Sequence, residues 1–268
     1  MKRLKRKPVE IDRSPLKDRP LRHAGQSLDE QLENLIHDEI LSISLITGLL
    51  GFMAFMEWMR HLFGWNVHPL MWTVMFVVAL LAGIRGLFRA RTRVRLLRQA
   101  RDGERAVGEF LERLRELGYQ VFHDLIGENF NVDHVIIGPA GVFTVETKTL
   151  SKPARGRAEV VYDGHDITVG GFTPDRDPLV QARAQIGWLR TLLQESTGRS
   201  FPVRALVVYP GWFVTLKGDI RQRDVLVMNP RQIPAFLGKL SAKLSPEEVK
   251  LASYHLSRHI RVGEQNAA

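Results

Sequence analysis

The sequence contains no cysteine, and this absence excludes two kinds of stabilising site. A chain without thiols has neither a disulfide framework nor a cysteine-ligated zinc centre. Glycine and proline, at 22 and 13 residues, are too few for a low-complexity chain. Hydrophobic residues make up 44% of the 268 residues, which is enough for the core of one ordinary domain with extensions.

The net charge of +9 is concentrated in the first part of the chain. Residues 1–102 contain 17 Lys and Arg against 10 Asp and Glu, whereas residues 103–268 contain 21 against 19. Membrane orientation and anionic lipid explain this distribution as well as nucleic acid does. Overall basicity is therefore a poor indicator of DNA binding in this chain.

Two long apolar runs, residues 40–57 and 67–84, predict a transmembrane hairpin within residues 40–84. A membrane-spanning helix needs about 20 mostly apolar residues, and both runs are at the short end of that range. The alternative is a buried helical hairpin of a soluble protein. The short connector holds Arg60 as its one formal positive charge, with Trp58 and Trp65 at the positions of interfacial anchors.

The segments around these runs are basic. Residues 1–39 are predicted to be a basic tail with a short amphipathic helix, and residues 85–102 an Arg-rich helix at the lipid headgroups. Contact with a DNA backbone is the alternative for the second segment. By the positive-inside rule, both termini face the cytoplasm. We therefore expect a two-pass protein of the inner, cytoplasmic membrane, with the rest of the chain in the cytoplasm.

Residues 131–150, NVDHVIIGPAGVFTVETKTL, are the most informative stretch of the sequence. Two alternating runs rich in β-branched residues flank Gly138-Pro139-Ala140-Gly141, a composition typical of a hairpin turn. If Ile137 pairs with Val142, the register places Asp133 opposite Glu146, with both side chains on one face of the sheet.

Lys148 shares that face, because side chains alternate along a strand. Two opposed carboxylates repel each other, and a hard divalent cation such as Mg²⁺ or Mn²⁺ would relieve the repulsion. Lys148 would then orient or deprotonate a water molecule or stabilise a phosphate, which is the chemistry of phosphodiester hydrolysis. The alternative is a surface hairpin with an ordinary Glu-Lys pair.

A further carboxylate lies on an apolar helix stripe. The spacing of Val107, Leu111 and Leu114 predicts a helix over residues 104–117, and Glu104 shares their face. An inward carboxylate needs a partner, either a metal ion held with Asp133 and Glu146 or the dipole of the first helical turn.

These residues resemble a known family. Asp133 with Glu146-Thr147-Lys148 resembles the D…(D/E)xK signature of the PD-(D/E)xK nuclease superfamily. The string from Gly103-Glu104 through VDHVIIGPAGVFTVETK to Asp177-Pro178-Leu179-Val180-Gln181 is similar to the nuclease-related domain, or NERD, family. The resemblance covers residues 103–237. One departure is Val132, which stands where the signature has proline.

The resemblance implies particular roles. Asp133, Glu146 and Glu104 would be metal ligands, together with the backbone carbonyl of Thr147. Lys148, with Glu146, Asp133 and Gln181, would be catalytic, Gln181 supporting the substrate or water. Gln185, one turn further on, is interpreted as helix surface.

Other candidate residues receive structural interpretations. Trp212 and Phe213 are expected in the core, with the edge of a substrate groove as the alternative. His165 is expected in a solvated turn, and His255 and His259 on the surface of a last helix.

The predicted fold class is α/β, with a restriction-endonuclease-like mixed sheet flanked by helices and preceded by a two-helix transmembrane hairpin. Residues 103–240 are assigned to the nuclease-like domain and residues 241–268 to a C-terminal helix. The predicted function is a membrane-anchored, Mg²⁺-dependent nuclease whose partners are nucleic acid, DNA in the first place, and the lipid bilayer. Homo-oligomer formation is left open. The alternative is a non-catalytic tethered module that binds nucleic acid or protein, or a membrane-assembly protein.

Overall fold

The computed structural model describes residues 20–65, 67–127, 130–153, 156–218 and 223–267, with side chains described as far as residue 263. Most of the predicted basic tail, including the basic residues from Lys2 to Lys7, lies outside these ranges. So do Asn66 of the connector and two residues of the loop that follows the first strand.

The centre of the fold is a five-stranded mixed sheet with the order β1-β2-β3-β6-β8. The first three strands are antiparallel, and β6 and β8 run parallel to β3. Continuous apolar runs, as expected for a sheet covered on both faces, form the interior strands. The strands are β1 Gln120–Ile126, β2 Asn131–Gly138, β3 Gly141–Thr147, β6 Val203–Val208 and β8 Val225–Met228.

A second, three-stranded sheet has the order β5-β4-β7. Its strands are β4 Glu159–Tyr162, β5 Ile167–Val169 and β7 Phe213–Leu216. The hairpin of β4 and β5 agrees with the sequence, but β7 joins β4 from a segment more than forty residues further along the chain. This small sheet was not predicted as a separate unit, because pairing between distant segments leaves no local pattern.

The register predicted for the central hairpin is confirmed. Gly138 pairs with Gly141 and Ile137 with Val142, and the same register continues to the pair of His134 and Val145. Because neighbouring side chains point to opposite faces, Asp133 and His134 lie on different sides of the sheet.

Helices cover both faces of the large sheet. On one face, α4 (Pro178–Thr197) and α6 (Pro246–Ala267) pack against the strands and against each other. On the other face, α3 (Pro69–Glu112) contacts the imidazole of His123 through Glu112, with 2.7 Å between Nε2 and Oε1. The mixed sheet, its flanking helices and two long apolar helices before it confirm the predicted fold class.

The two apolar helices form an antiparallel hairpin. Helix α1 (Gln26–Leu35) continues through a π-helical segment (Ile36–Leu41) into α2 (Ser42–Leu62), and α2 packs along α3. Close approach depends on glycine, since a Cβ on Gly51 would lie 2.9 Å from the Phe76 ring. Within the described residues, these are two helices long and apolar enough to cross a membrane.

Helix α3 is longer than the sequence suggested. Two separate helices were expected, one over residues 85–101 and one beginning at Glu104, but α3 runs unbroken through both positions. No proline occurs between Pro69 and Pro139, and the intervening Arg, Leu and Ala residues are good helix formers. The domain divisions at residues 85 and 103 stay predictions. A short 3₁₀ turn (Arg113–Leu117) and Gly118, with φ of 81°, end this helix.

The remaining α-helix of the described chain, α5 (Ile233–Leu237), is short and follows β8.

A buried ion pair attaches the N-terminal segment to the sheet. Arg22 and Asp124 are almost fully buried, and the two form an ion pair with 2.7 Å between Arg22 Nη2 and Asp124 Oδ2. The Ser27 backbone N–H also donates to Asp124 at 2.7 Å. Asp124 has a φ of 51°, a left-handed conformation that no other described residue besides glycine adopts. We call the Arg22, Ser27 and Asp124 contacts the N-terminal latch.

Replacing Arg22 with methionine should destabilise the chain by about 3–5 kcal/mol, because Asp124 would keep a buried charge without its cation. The free energy of unfolding of the detergent-solubilised chain, measured in urea, tests this. Arg199→Met is the matched control, since its pair with Glu248 is exposed and 4.0 Å long; its cost should stay under about 1 kcal/mol. Equal losses in both variants would contradict a special role for the latch.

Candidate active site

The acidic residues singled out from the sequence line one cleft at the end of β2 and β3. The cleft has a volume of about 820 Å³ and is open to solvent. Strands supply its floor, α3 and α1 form walls, and the start of α4 lies across from them. Its lining includes Glu104, Asp133, Glu146, Thr147, Lys148 and Gln181. The structure therefore brings together all six of the site residues that the sequence predicted.

Asp133 and Glu146 are the deepest charged groups of the cleft, with relative exposures of 9% and 4%. The carboxylate Oδ2 of Asp133 accepts a hydrogen bond of 2.6 Å from the Thr147 backbone N–H. Burial raises the pKa of Asp133 well above its usual range, and the charges of Glu146 and Glu104 raise it further. The Thr147 amide and the Lys148 charge oppose this rise.

Both oxygens of Glu146 already have protein donors. Lys148 Nζ donates to Oε1 at 2.7 Å, and Gln185 Nε2 donates to Oε2 at 2.6 Å. The Lys148 ammonium also donates to Gln181 Oε1 at 2.9 Å. A hydrogen-bonded chain therefore runs from Gln181 through Lys148 and Glu146 to Gln185, which fixes the orientation of the carboxylate.

Glu104 is the carboxylate of the cleft without a protein donor. It accepts no hydrogen bond and forms no ion pair with any residue that the structure describes. Burial, followed by the negative charges of Asp124 and Glu146, raises its pKa from 4.5 to about 8, against a lowering by Lys148. Its carboxyl group is therefore available to an added partner in the cleft.

The donor chemistry of the site fits a hard divalent cation, since every candidate ligand is an oxygen. Three observations support this: the Glu104 carboxylate lacks a donor among the described residues, Asp133 leaves Oδ1 without one among them, and burial together with the charge of Glu146 raises the pKa of both Asp133 and Glu104. In their present positions they are not a finished chelate. Within the described ranges, no three carboxylate or imidazole groups stand close enough to hold one ion.

Gln185 was interpreted as helix surface, and this was wrong. The side chain is fully buried and bridges Glu146 Oε2 to the Asn131 carbonyl, 3.1 Å away. A sequence signal existed, because Gln185 lies on the same stripe of α4 as Ala182 and Leu189, both of which are buried. A polar residue on an apolar stripe indicates a buried hydrogen-bonding partner.

The remaining candidates are away from the acidic centre. Trp212 is buried as expected, and its indole N–H donates to the Leu150 carbonyl, whereas Phe213 is exposed and not a core residue. His165 lies in an exposed turn, as expected. His259 is exposed and meets the Trp188 ring edge to face, and His255 is half-buried rather than fully on the surface.

Two further segments complete the cleft, and neither was predicted from the sequence to contribute to it. The first turns of α1 contribute Ser27, Leu28 and Gln31, and the loop before α4 contributes Arg176. No local pattern indicated these residues, because they meet the acidic centre only through contacts between distant segments.

The middle of the chain matches the model of a known protein family. The nuclease-related domain family matches residues 99–210. No curated protein matches the chain. Solved structures that it is similar to include SfsA of Pyrococcus furiosus in complex with Ca²⁺, at 21% identity over 59% of this chain and 52% of that one, with a TM-score of 0.22.

A second solved structure is protein VC1899 of Vibrio cholerae, at 15% identity over 89% of this chain and 57% of that one, with a TM-score of 0.23. The chain therefore spans little more than half of the length of these two proteins.

Gly103 allows α3 to carry Glu104 into the cleft. A Cβ at this position would lie 1.7 Å from Oγ1 and 2.7 Å from Cβ of Thr149, just beyond the end of β3. Thr149 is β-branched and has little freedom to move away. Any larger residue at position 103 must therefore push α3 from the strand and displace Glu104.

Gly103→Ala should lower the free energy of unfolding by about 1–3 kcal/mol through this overlap. Gly187→Ala in α4, where an added Cβ meets nothing within 4 Å, should instead raise it by about 0.5–1 kcal/mol. Thr149→Gly in the Gly103→Ala background should restore part of the loss. Urea unfolding of the four proteins tests the contact, which would be refuted if both alanine variants changed stability in the same direction.

The raised pKa of Glu104 makes the metal-free chain less stable at high pH. The unfolded carboxyl group loses its proton near pH 4.5, whereas the folded one holds it to about pH 8. This contribution to stability is therefore complete below pH 4.5 and is lost as the pH rises through about 8. In EDTA, Glu104→Gln should flatten the decline measured by urea unfolding between pH 5 and 9. Glu109→Gln, on an exposed face of the same helix, should leave the slope unchanged.

Proposed function

Since residues 99–210 belong to the nuclease-related domain family, we propose that the chain is a membrane-anchored, metal-dependent nuclease that hydrolyses phosphodiester bonds of DNA. The observation that carries the proposal is the gathering of Glu104, Asp133, Glu146 and Lys148 in one solvent-open cleft. Burial and neighbouring negative charges raise the pKa of Asp133 and of Glu104 in this cleft, and perturbed carboxyl groups that share a cleft are typical of functional sites.

The proposed metal is Mg²⁺ or Mn²⁺, held by Asp133, Glu146, Glu104 and the Thr147 carbonyl. When bound, such an ion supplies Lewis-acid stabilisation to the charge that develops on phosphate oxygens. The protein side chains have separate tasks. Gln185 fixes the Glu146 carboxylate through its 2.6 Å hydrogen bond.

Lys148 is the proposed catalytic residue. Its Nζ lies between Glu146 Oε1 and Gln181 Oε1, at 2.7 and 2.9 Å, and the Lys148 side chain is more exposed than that of Glu146. From there the ammonium orients the attacking water and stabilises negative charge on the phosphate. Gln181 fixes the ammonium and offers its amide N–H groups to the phosphate or to water.

Membrane attachment is proposed from the two apolar helices. Large side chains such as Leu45, Phe55, Leu70 and Val78 on α2 and α3 are about 60–70% exposed. An apolar surface of this extent is unfavourable in water and is typical of a lipid-facing or partner-facing region. Placing the arginines of α3 at the headgroups would put the cleft in the cytoplasm, where DNA is available.

One observation favours a second function. Both Glu146 oxygens and Asp133 Oδ2 already accept protein hydrogen bonds, so the acids are partly neutralised without any metal. A non-catalytic module that uses the cleft to bind nucleic acid or protein would keep such a network. It would bind oligonucleotides with the same affinity in EDTA and in Mg²⁺ and would not cut them.

Lys148→Ala should reduce cleavage of a fluorescently labelled DNA oligonucleotide by at least about 100-fold in Mg²⁺, because it removes both water orientation and phosphate stabilisation. EDTA should abolish the wild-type cleavage. Lys152→Ala is the control, since Lys152 is an exposed lysine four residues further on and outside the cleft. Activity of the full chain is measured in detergent, with labelled RNA of the same sequence in parallel.

Binding without cleavage in the wild type would favour the module over the nuclease. Cleavage that survives in Lys148→Ala to the level of Lys152→Ala would contradict the assignment of the catalytic lysine.

A further inference from the structure

We propose that the cleft takes an unpaired nucleic-acid strand rather than a duplex, and that α1 is the wall that makes this selection through Leu28 and Gln31. The inference rests on the proposed nuclease function and adds to it the substrate class and the residues that determine specificity. Its premises are the position of α1, the way α1 is fixed, and the chemistry of the cleft lining.

The first premise is that α1 belongs to the cleft although it is far from the acidic residues in sequence. Leu28 and Gln31, three residues apart on one face of α1, line the same cleft as Asp133 and Glu146, together with the neighbouring Ser27. Helix α1 therefore supplies part of the wall around the acidic pair, beside the sheet, α3 and the start of α4.

The second premise is that this wall is held in place. The N-terminal latch joins the segment before α1 to β1 through the buried pair of Arg22 and Asp124. A second contact joins α1 to α3, where Arg101 and Arg105 both pair with Asp29. An unpaired charge at Arg22 or Asp124 would be costly, so the wall is expected to stay docked.

The third premise is the composition of the lining around the acids. Leu28, Ile126, Phe130 and Leu150 surround the charged centre, and Ile126 and Leu150 are more than 40% exposed. Phe130 is supported from behind by Trp188, edge to face at 5.6 Å between ring centroids. The cleft therefore offers apolar and aromatic surface directly beside its polar floor.

This combination fits unpaired bases better than a duplex. A duplex keeps its bases stacked and presents mainly phosphates and sugars, which gain little from apolar side chains. An unpaired strand exposes its base faces, which stack on aromatic side chains with little dependence on sequence. Lys148 and the exposed Arg176, both lining the cleft, supply cations for the phosphates of such a strand.

The shape of the cleft points the same way. The acids are almost completely buried at its floor, so a scissile phosphate must enter the recess to reach them. A single strand bends readily into a recess, whereas a duplex is stiff over far longer distances than the site. The wall formed by α1 therefore excludes the duplex and admits a strand or an unpaired end.

The test compares a single-stranded DNA oligonucleotide with the blunt duplex of the same sequence. Cleavage in Mg²⁺ is measured with the full chain, and binding is measured with the Lys148→Ala chain. The wild type should cut and bind the single strand at least about tenfold better. Phe130→Ala should weaken single-strand binding by roughly 5- to 150-fold, as expected for a lost base stack. Leu28→Ala should weaken it less and raise duplex cleavage.

Leu117→Ala is the matched control, because Leu117 is an exposed leucine outside the cleft. Phe130→Ala also loses the contact of Phe130 with Trp188, so the melting temperature of this variant is measured. If Phe130→Ala unfolds, Leu28→Ala still tests the inference. The absence of native cysteine permits a direct readout of contact. The single strand should protect Gln31→Cys from maleimide and leave Glu33→Cys, exposed on another face of α1, reactive.

Three results are distinguishable. A single-strand preference that falls in Leu28→Ala and persists in Leu117→Ala supports the inference. Equal or better cleavage of the duplex, or no protection of Gln31→Cys, overturns it while the nuclease proposal stands. No metal-dependent cleavage and no binding of either oligonucleotide overturns the proposed function, and the inference with it.

Discussion

The repulsion among three carboxylates, two buried and one partly buried, is the constraint on which the architecture of the cleft depends. Asp133 and Glu146 face each other at the end of a hairpin whose register leaves them no other position, and α3 adds Glu104. The protein answers this repulsion with one ammonium and two amide donors, from Lys148, the Thr147 backbone and Gln185. Two of these donors come from the end of β3 and the third from α4, so the docking of α4 on the sheet completes the hydrogen bonds of the Glu146 carboxylate. Glu104, which α3 contributes, receives no such donor among the described residues, and its pKa is raised to about 8.

An unbroken helix joins the apolar hairpin to the cleft. Helix α3 runs without a break from the apolar segment to Glu104, and the chain from α1 to α2 is also helical throughout. At about 1.5 Å per residue, the twenty residues between Ile84 and Glu104 place the acidic centre roughly 30 Å along the helix from the end of the apolar run. The docking of α1 on α3 by Asp29 brings both helices to the same cleft. In the membrane-anchored nuclease proposed above, the continuous helix would hold the cleft at a set distance from the bilayer, which a flexible linker would not do.

The features of the fold and the site that could be predicted from the sequence are those formed by residues close together in the chain. The central hairpin was predictable to the residue, because alternation along two strands and a four-residue turn fix one register, and with it the shared face of Asp133, Glu146 and Lys148. Gln185 was predictable in principle from the apolar stripe of α4 and was missed because glutamine is usually a surface residue.

The N-terminal latch was not predictable. Arg22 and Asp124 are 102 residues apart. An aspartate in the sequence also does not by itself indicate the left-handed backbone that Asp124 adopts. The same holds for β7, whose partner β4 is distant in the chain.

The contact between Lys148 Nζ and Glu146 Oε1 is where the two proposed functions differ. In a binding module the ammonium is a permanent counter-ion for Glu146, and the 2.7 Å pair stabilises the site as it stands. In a nuclease Glu146 must be shared with a metal ion, so the ammonium must give up part of this contact and turn toward the substrate. Lys148 has a second acceptor in Gln181 Oε1 at 2.9 Å, so its charge stays hydrogen-bonded while the Glu146 contact lengthens. An ammonium has three N–H donors, so Gln181 also suits a permanent counter-ion. The catalytic role proposed for Gln181 therefore depends on whether the contact between Lys148 and Glu146 lengthens when metal and substrate bind, since Gln181 matters to catalysis only as the acceptor that Lys148 then keeps.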